Sequence, residues 1–144
     1  MTDHMAPPLQ TMDLIGPVIG ASIFVLLMSL IREPARQRFN AILVAGAGAA
    51  YLNGGLGIWE FAYITLATFV AYKGLSSYRF IGVAWLLHTG WDIVHHLFAT
   101  PIWPWLPASS AGCAVFDAVI AAWFFLGAPS APEAIRRRRV GHAG

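Results

Sequence analysis

The fold is decided by residues 14–31, which read LIGPVIGASIFVLLMSLI. The stretch carries no charged residue over its whole length. At about 1.5 Å per residue, a helix of this length nearly crosses a hydrocarbon core of about 30 Å. No basic segment precedes it and no small-residue cleavage site follows it, so we expect a retained membrane helix rather than a signal peptide.

The overall composition extends this interpretation to the rest of the chain. Hydrophobic residues make up 58% of the 144 residues and charged residues 11%, and the mean hydropathy is +0.63. This balance is far more apolar than that of a soluble domain. We therefore predict an all-α fold, a polytopic transmembrane helical bundle. A single cysteine, Cys113, excludes an internal disulfide framework.

Further apolar runs define the other helices. The run from 39 to 74 is too long for one crossing, and Asn53-Gly-Gly-Leu-Gly57 interrupts it. It predicts two helices, near 39–52 and 57–73, that form either two full spans or a re-entrant hairpin. Two more helices are expected at 80–99 and 109–127, so the bundle has four or five helices. The predicted organisation is a tail at 1–13, a membrane domain at 14–127 and a basic tail at 128–144.

The positions of the positive charges predict the orientation. All nine Lys and Arg residues fall on one side of a five-span bundle, at 32, 36, 38, 73, 79 and 136–139. Because positive charge stays on the cytoplasmic side, the N-terminus should lie outside and the C-terminus in the cytoplasm, across the cell (inner) membrane. These charges form short segments between apolar runs rather than one broad basic face, which argues against nucleic acid as a partner. The expected partner is the lipid bilayer.

Six ionisable residues lie within the predicted helices, where each is costly, by about 2.5–3.5 kcal/mol on insertion scales. At about 100° per residue, the four of them in the fourth helix fall within about 100° of one another. These four residues, His88, Asp92, His95 and His96, therefore form a stripe along one face of the helix. Glu60 is expected at a depth similar to that of His95 and His96, and Asp117 lies on the fifth helix. One pocket near the outer face could therefore hold the whole set, which consists of Glu60, His88, Asp92, His95, His96 and Asp117.

Three classes of function are compatible with such a pocket. The first is a metal site for Zn or Fe with His88, Asp92, His95 and His96 as ligands and with Glu60 and Asp117 as catalytic groups, for hydrolysis or oxidation of a lipid-like substrate. The second is a metal-free acid/base isomerase or cyclase of isoprenoid-like molecules. The third is not enzymatic: an ion or proton conduit, or a haem-binding accessory subunit.

Two motifs, Tyr51-Leu-Asn-Gly-Gly-Leu-Gly-Ile-Trp-Glu60 and His88-x3-Asp92-x2-His95-His96, resemble those of a family of small bacterial integral membrane proteins of unknown function. The resemblance covers most of residues 14–127 and implies a membrane location but no activity. The helix face is also similar in chemistry to His-rich membrane hydroxylases and zinc-dependent lipid amidases, although neither full motif set is present. Small residues on the second helix leave open a homo-oligomer that completes the site between subunits.

Overall fold

A computed structural model describes residues 7–52 and 55–130, and all their regular secondary structure is helical. Five α-helices confirm the predicted all-α fold. They are α1 (Thr11–Met28), α2 (Ala35–Ala47), α3 (Ile58–Gly74), α4 (Tyr78–Phe98) and α5 (Ser109–Phe125). A short 3₁₀ helix, Gly48–Tyr51, continues α2. Residues 7–13 of the predicted tail at 1–13 are described, and α1 already begins at Thr11. Of the predicted tail at 128–144, only 128–130 are described, so Arg136–Arg139 lie outside the described residues.

The helices run up and down between two ends of the bundle. The tryptophan end holds the start of α1, the 3₁₀ helix and the loop with Trp103 and Trp105, whose rings stack with centroids 6.3 Å apart. The arginine end holds residues 29–34, residues 75–77 and the chain after α5, and includes Arg32 and Arg36. Helix α4 is central, packing against α2, α3 and α5, while α1 packs against α5.

Two glycines show how closely α4 approaches its neighbours. A Cβ added to Gly82 of α4 would lie 3.2 Å from the carbonyl oxygen of Ala121 and from the Phe125 ring on α5. One added to Gly74, at the end of α3, would lie 2.7 Å from Cγ1 of Ile81. The absence of a side chain at these positions lets the helix backbones meet, as in helix pairs packed through small residues.

The connection between the 3₁₀ helix and α3 is the turn predicted from its glycines. Gly55 and Gly57 adopt positive φ angles of 94° and 59°, a region that glycine enters without a Cβ penalty. Helix α3 then begins at Ile58. The second helix starts earlier than predicted, at Ala35, directly after Pro34, which occupies the N-cap position. It also ends earlier, since the chain tightens into the 3₁₀ helix at Gly48.

One described helix, α1, combines the length and apolarity required to cross a bilayer, with a mean hydropathy of 1.9. Only 6% of this window is buried, so α1 is not the core helix of a soluble fold. Helix α5 is apolar but shorter, at 17 residues. A helix of this kind near the N-terminus indicates association with a membrane.

Candidate functional site

The stripe predicted on α4 points mainly into the bundle. His88, Asp92 and His95 are 1%, 0% and 1% exposed, respectively. His96, one residue further, is only half-buried and lines an apolar groove formed with α1 and α5, where its Nδ1 has no hydrogen-bond partner among the described residues. The structure therefore brings three of the four stripe residues into the interior and directs the fourth elsewhere, since adjacent helical residues differ by about 100° in direction.

Glu60 is fixed in the first turn of α3 by three hydrogen bonds. Its Oε1 accepts from the backbone N–H of Leu56 at 3.2 Å, just before the helix start. Its Oε2 accepts from the indole N–H of Trp91 at 3.0 Å, and His95 approaches both oxygens. The side chain is 2% exposed. Its place in the first turn also suits the positive end of the α3 dipole.

His95 links Glu60 to the surface at the tryptophan end. Its Nε2 lies 3.1 Å from Oε1 of Glu60, and its Nδ1 lies 3.4 Å from the carbonyl oxygen of Thr100. A ring nitrogen donates only when it carries a proton, so the tautomer of His95 decides whether Glu60 or the Thr100 carbonyl receives the hydrogen bond.

Tyr51 and Asp92 form a second pair beside the first. The hydroxyl of Tyr51 donates to Oδ1 of Asp92. The Tyr51 ring lies 4.8 Å from the His95 ring, centroid to centroid, so the two pairs are neighbours. Asp117 of α5, 5% exposed, brings its carboxyl group against that of Asp92. Each pair therefore joins a proton-bearing side chain to a buried carboxyl group.

A cleft at the tryptophan end is lined by one residue of each pair, Tyr51 and His95. Its volume is about 360 Å³, and both of these side chains are almost completely buried. Its walls come from the loop after α4, and the residues there are Thr100, Pro101, Ile102 and Pro104. A cleft of this volume is large enough for a small organic molecule, and its mainly apolar walls favour an apolar one.

His88 lies deeper and does not line this cleft. Its Nε2 is 3.1 Å from the backbone carbonyl of Val44 on α2, and the Tyr63 ring meets it edge-on at 5.5 Å. Tyr63 in turn stacks on Trp91, with centroids 4.6 Å apart and planes 3° from parallel. These contacts close the space between His88 and the Glu60–His95 pair with aromatic rings.

The predicted metal ligands are not assembled. In residues 7–52 and 55–130, no three His, Cys, Asp or Glu side chains stand together in an arrangement that could hold a metal ion. The physical reason is that the stripe residues already have separate partners: Val44 for His88, Tyr51 for Asp92 and Glu60 for His95. Glu60 and Asp117 both contact the stripe but at different points along it.

Other polar and aromatic residues were placed less well by sequence reasoning. Tyr51 was quoted only as part of a motif, although it reaches the same cleft as His95. The indole N–H of Trp91 donates a hydrogen bond to Glu60, which no sequence pattern indicates. Trp59 is 67% exposed and Cys113 lines a different groove, between α1 and α5. Neither of the last two contributes to the cleft.

Comparison with known proteins places the chain in a family without an assigned activity. A model described as "Family of unknown function (DUF6010)" matches residues 12–130, which include all five helices apart from Thr11. No curated protein matches the chain. No solved structure matches it either. The match spans most of the sequence and every residue of the cleft, and the chain therefore belongs to the DUF6010 family of unknown function.

Proposed function

We propose that the protein is a multi-pass membrane enzyme that moves protons within a small lipid-like molecule, an isomerase-type reaction, in the cleft at the tryptophan end. The observation that carries the proposal is that two proton-bearing side chains, His95 and Tyr51, each backed by a buried carboxyl group, line one cleft. Such pairing is how general acid/base groups are oriented.

The distribution of apolar side chains supports a membrane location for the whole bundle. Large hydrophobic side chains are exposed on every helix, including Ile23, Ile42, Phe69, Leu86 and Phe125. The ionisable groups Glu60, His88, Asp92, His95 and Asp117 are buried instead. Exposed apolar side chains around buried ionisable ones are expected of a bundle in lipid, because apolar surface is stable in contact with hydrocarbon and a charged group there is costly.

The positions of the Lys and Arg residues in the described part of the chain support the predicted orientation. Arg32, Arg36, Arg38, Lys73 and Arg79 all lie at or near the arginine end. By the positive-inside rule, this end faces the cytoplasm, and the cleft opens on the outer side. Trp103 and Trp105, 50% and 79% exposed, would then sit at the level of the outer lipid headgroups.

His95 is the proposed base. In the tautomer in which Nε2 donates to Glu60, Nδ1 removes a proton from carbon, and Glu60 orients the ring and stabilises the imidazolium that forms. Because Glu60 already accepts three hydrogen bonds, it serves as a positioning group and does not itself donate the proton. The carbanion or enolate character that develops on the substrate needs an acid nearby.

Tyr51 is the proposed acid. Its hydroxyl would give a proton to a different atom of the substrate and regain one from Asp92. Two carboxyl groups that meet in an apolar interior are expected to share a proton, since two adjacent negative charges would repel, so Asp92 and Asp117 can supply it. One C–H bond breaks and another forms, so the product has the composition of the substrate and no oxidant or reductant is required. Solvent then takes the proton from His95 and returns one to the Asp92–Asp117 pair, which restores the enzyme for the next turnover.

The alternatives receive less support. A metal-dependent hydrolase or oxidase needs a ligand set that the described side chains do not form. A cation conduit along α4 would have to continue past His88, which is enclosed by the Val44 carbonyl and the edge of the Tyr63 ring.

The proposal is tested by solvent-deuterium incorporation. The full-length protein is reconstituted in vesicles in D₂O and given a panel of small unsaturated isoprenoid alcohols and ketones, and the products are analysed by mass spectrometry. We expect an isomerised product carrying solvent deuterium, with a rate unchanged by a chelator. A product without deuterium, or activity that chelation abolishes and Zn or Fe restores, contradicts the proposal.

A further inference from the structure

A second cavity lies at the arginine end, on the opposite side of the molecule from the cleft. Its volume is about 500 Å³, and its polar lining residues are Ser29, Arg32, Glu33, Arg36 and Ser130. Leu30 and Ile31 line it as well. None of these residues takes part in the proposed proton transfer, so the cavity requires a separate explanation.

Arg36 is the fixed cation of this cavity. It is 4% exposed, and its Nη2 lies 2.6 Å from Oε1 of Glu33. Its Nε donates to the same oxygen at 2.9 Å and lies 3.1 Å from the hydroxyl of Tyr78 on α4. These contacts hold the guanidinium in one orientation, so that a ligand would bind without ordering it first.

The local charge favours an anion. Arg32 and Arg36 contribute two positive charges and Glu33 one negative charge, which leaves a surplus of one positive charge at the cavity. A guanidinium has five N–H donors in a planar fork, and the bonds to Glu33 and Tyr78 use only those on Nε and Nη2. The fork geometry matches phosphate oxygens.

The apolar lining identifies which kind of phosphate fits. Leu30 is 76% exposed beside the two arginines, at the point where α1 ends. A free phosphate ion would leave this apolar wall and most of the cavity unused, whereas a lipid headgroup would place its glycerol and first acyl carbons against it. We propose that this cavity binds the phosphodiester headgroup of an anionic phospholipid in the cytoplasmic leaflet, an inference that rests on the membrane location in the proposed function.

The test measures lipid retention by the full-length protein. Protein purified in detergent is given equal amounts of phosphatidylglycerol and phosphatidylcholine, and bound lipid is counted by native mass spectrometry. Arg32→Gln removes a cavity charge, whereas Arg38→Gln removes an exposed charge of the same segment that does not line the cavity. We expect Arg32→Gln to lower phosphatidylglycerol binding about tenfold and Arg38→Gln to leave it within about twofold.

A second variant and a competitor complete the experiment. Arg36→Lys keeps the charge but loses the fork, and it should weaken binding even where the protein folds normally, as judged by its elution and helicity. Equal losses in Arg32→Gln and Arg38→Gln, or no preference for phosphatidylglycerol, overturn the proposal. Displacement of the lipid by millimolar inorganic phosphate overturns the lipid assignment in favour of a free anion. His95→Gln should bind the lipid normally, which separates this test from that of the cleft.

Discussion

Nε2 of His95 lies 3.1 Å from Oε1 of Glu60, and both side chains are almost completely buried, at 1% and 2% exposure. The pair joins α3 to α4 below a cleft that opens at the tryptophan end. In a low-dielectric interior, such an interaction is strong when all its partners are present and costly when one is removed. The predictions below use this dependence to separate structural from catalytic roles.

Replacing Glu60 should affect the rate more than the fold. Glu60→Gln keeps the shape, but its one acceptor oxygen can serve only one of the donors from Leu56 and Trp91, which bind different oxygens of Glu60, and it removes the negative charge opposite His95. We expect a loss of stability of about 1–3 kcal/mol. The isomerisation rate should fall about 10²-fold or more, because the imidazolium loses its counter-charge. Thermal unfolding in detergent and the deuterium assay measure the two effects, and a full rate in Glu60→Gln contradicts the assigned role.

Tyr51 and Tyr63 offer a matched pair of phenols. The Tyr51 hydroxyl donates to Asp92, whereas the buried Tyr63 hydroxyl has no partner among the described residues. Tyr51→Phe should therefore cost about 1–3 kcal/mol and abolish proton delivery, while Tyr63→Phe should be close to neutral in stability and rate. Unfolding midpoints and rates are compared in the same vesicles. If Tyr63→Phe is the more harmful change, Tyr51 is not the acid.

Helix packing is tested at two glycines of α4. Gly82→Ala places a Cβ 3.2 Å from the Ala121 carbonyl and the Phe125 ring, while a Cβ at Gly90 meets nothing within 4 Å. We expect Gly82→Ala to destabilise the protein by about 1–3 kcal/mol. Gly90→Ala should leave stability unchanged or raise it by up to about 1 kcal/mol, through its better helix propensity. Equal unfolding temperatures for the two variants would show that α4 and α5 do not pack as closely as described.

Orientation in the membrane can be measured by thiol labelling, because the chain has a single cysteine, Cys113, that can be replaced. In a Cys113→Ala background, Trp105→Cys places a thiol at the exposed tryptophan end and Ser76→Cys places one at the arginine end. A membrane-impermeant maleimide added to intact cells should label the first variant and reach the second only after the cells are opened. The reverse pattern would invert the proposed topology, and labelling of both in intact cells would rule out a sealed, spanning bundle.

Much of the fold could be predicted because long apolar runs and the glycines that interrupt them are local properties of the sequence. The apolar runs marked all five helices, and the glycines before Ile58 marked the turn that places Glu60 at the start of α3. Depth counting also put Glu60 and His95 at one level, where the structure has them in contact.

The partners within the site depend on packing and could not be read from spacing. His95 and His96 differ by one position, and only the rotation of α4 against α3 decides which one meets Glu60. In the sequence, Tyr51 and Trp91 cannot be distinguished from aromatic residues that only pack. The structure shows that the Tyr51 hydroxyl donates a hydrogen bond to Asp92 and the Trp91 indole N–H donates one to Glu60. The burial of Arg36 likewise follows from its contacts with Glu33 and with Tyr78, which lies 42 residues away in the sequence.

The adjacent histidines of α4 provide the most direct test of the central claim, that His95 performs proton transfer in the cleft. His95→Gln and His96→Gln are the same substitution one residue apart, and only the first removes a side chain that contacts Glu60 and the cleft. Deuterium incorporation should fall about 10²-fold or more in His95→Gln and remain at the level of the unsubstituted protein in His96→Gln. Retained incorporation in His95→Gln, or an equal loss in both variants, would contradict the account.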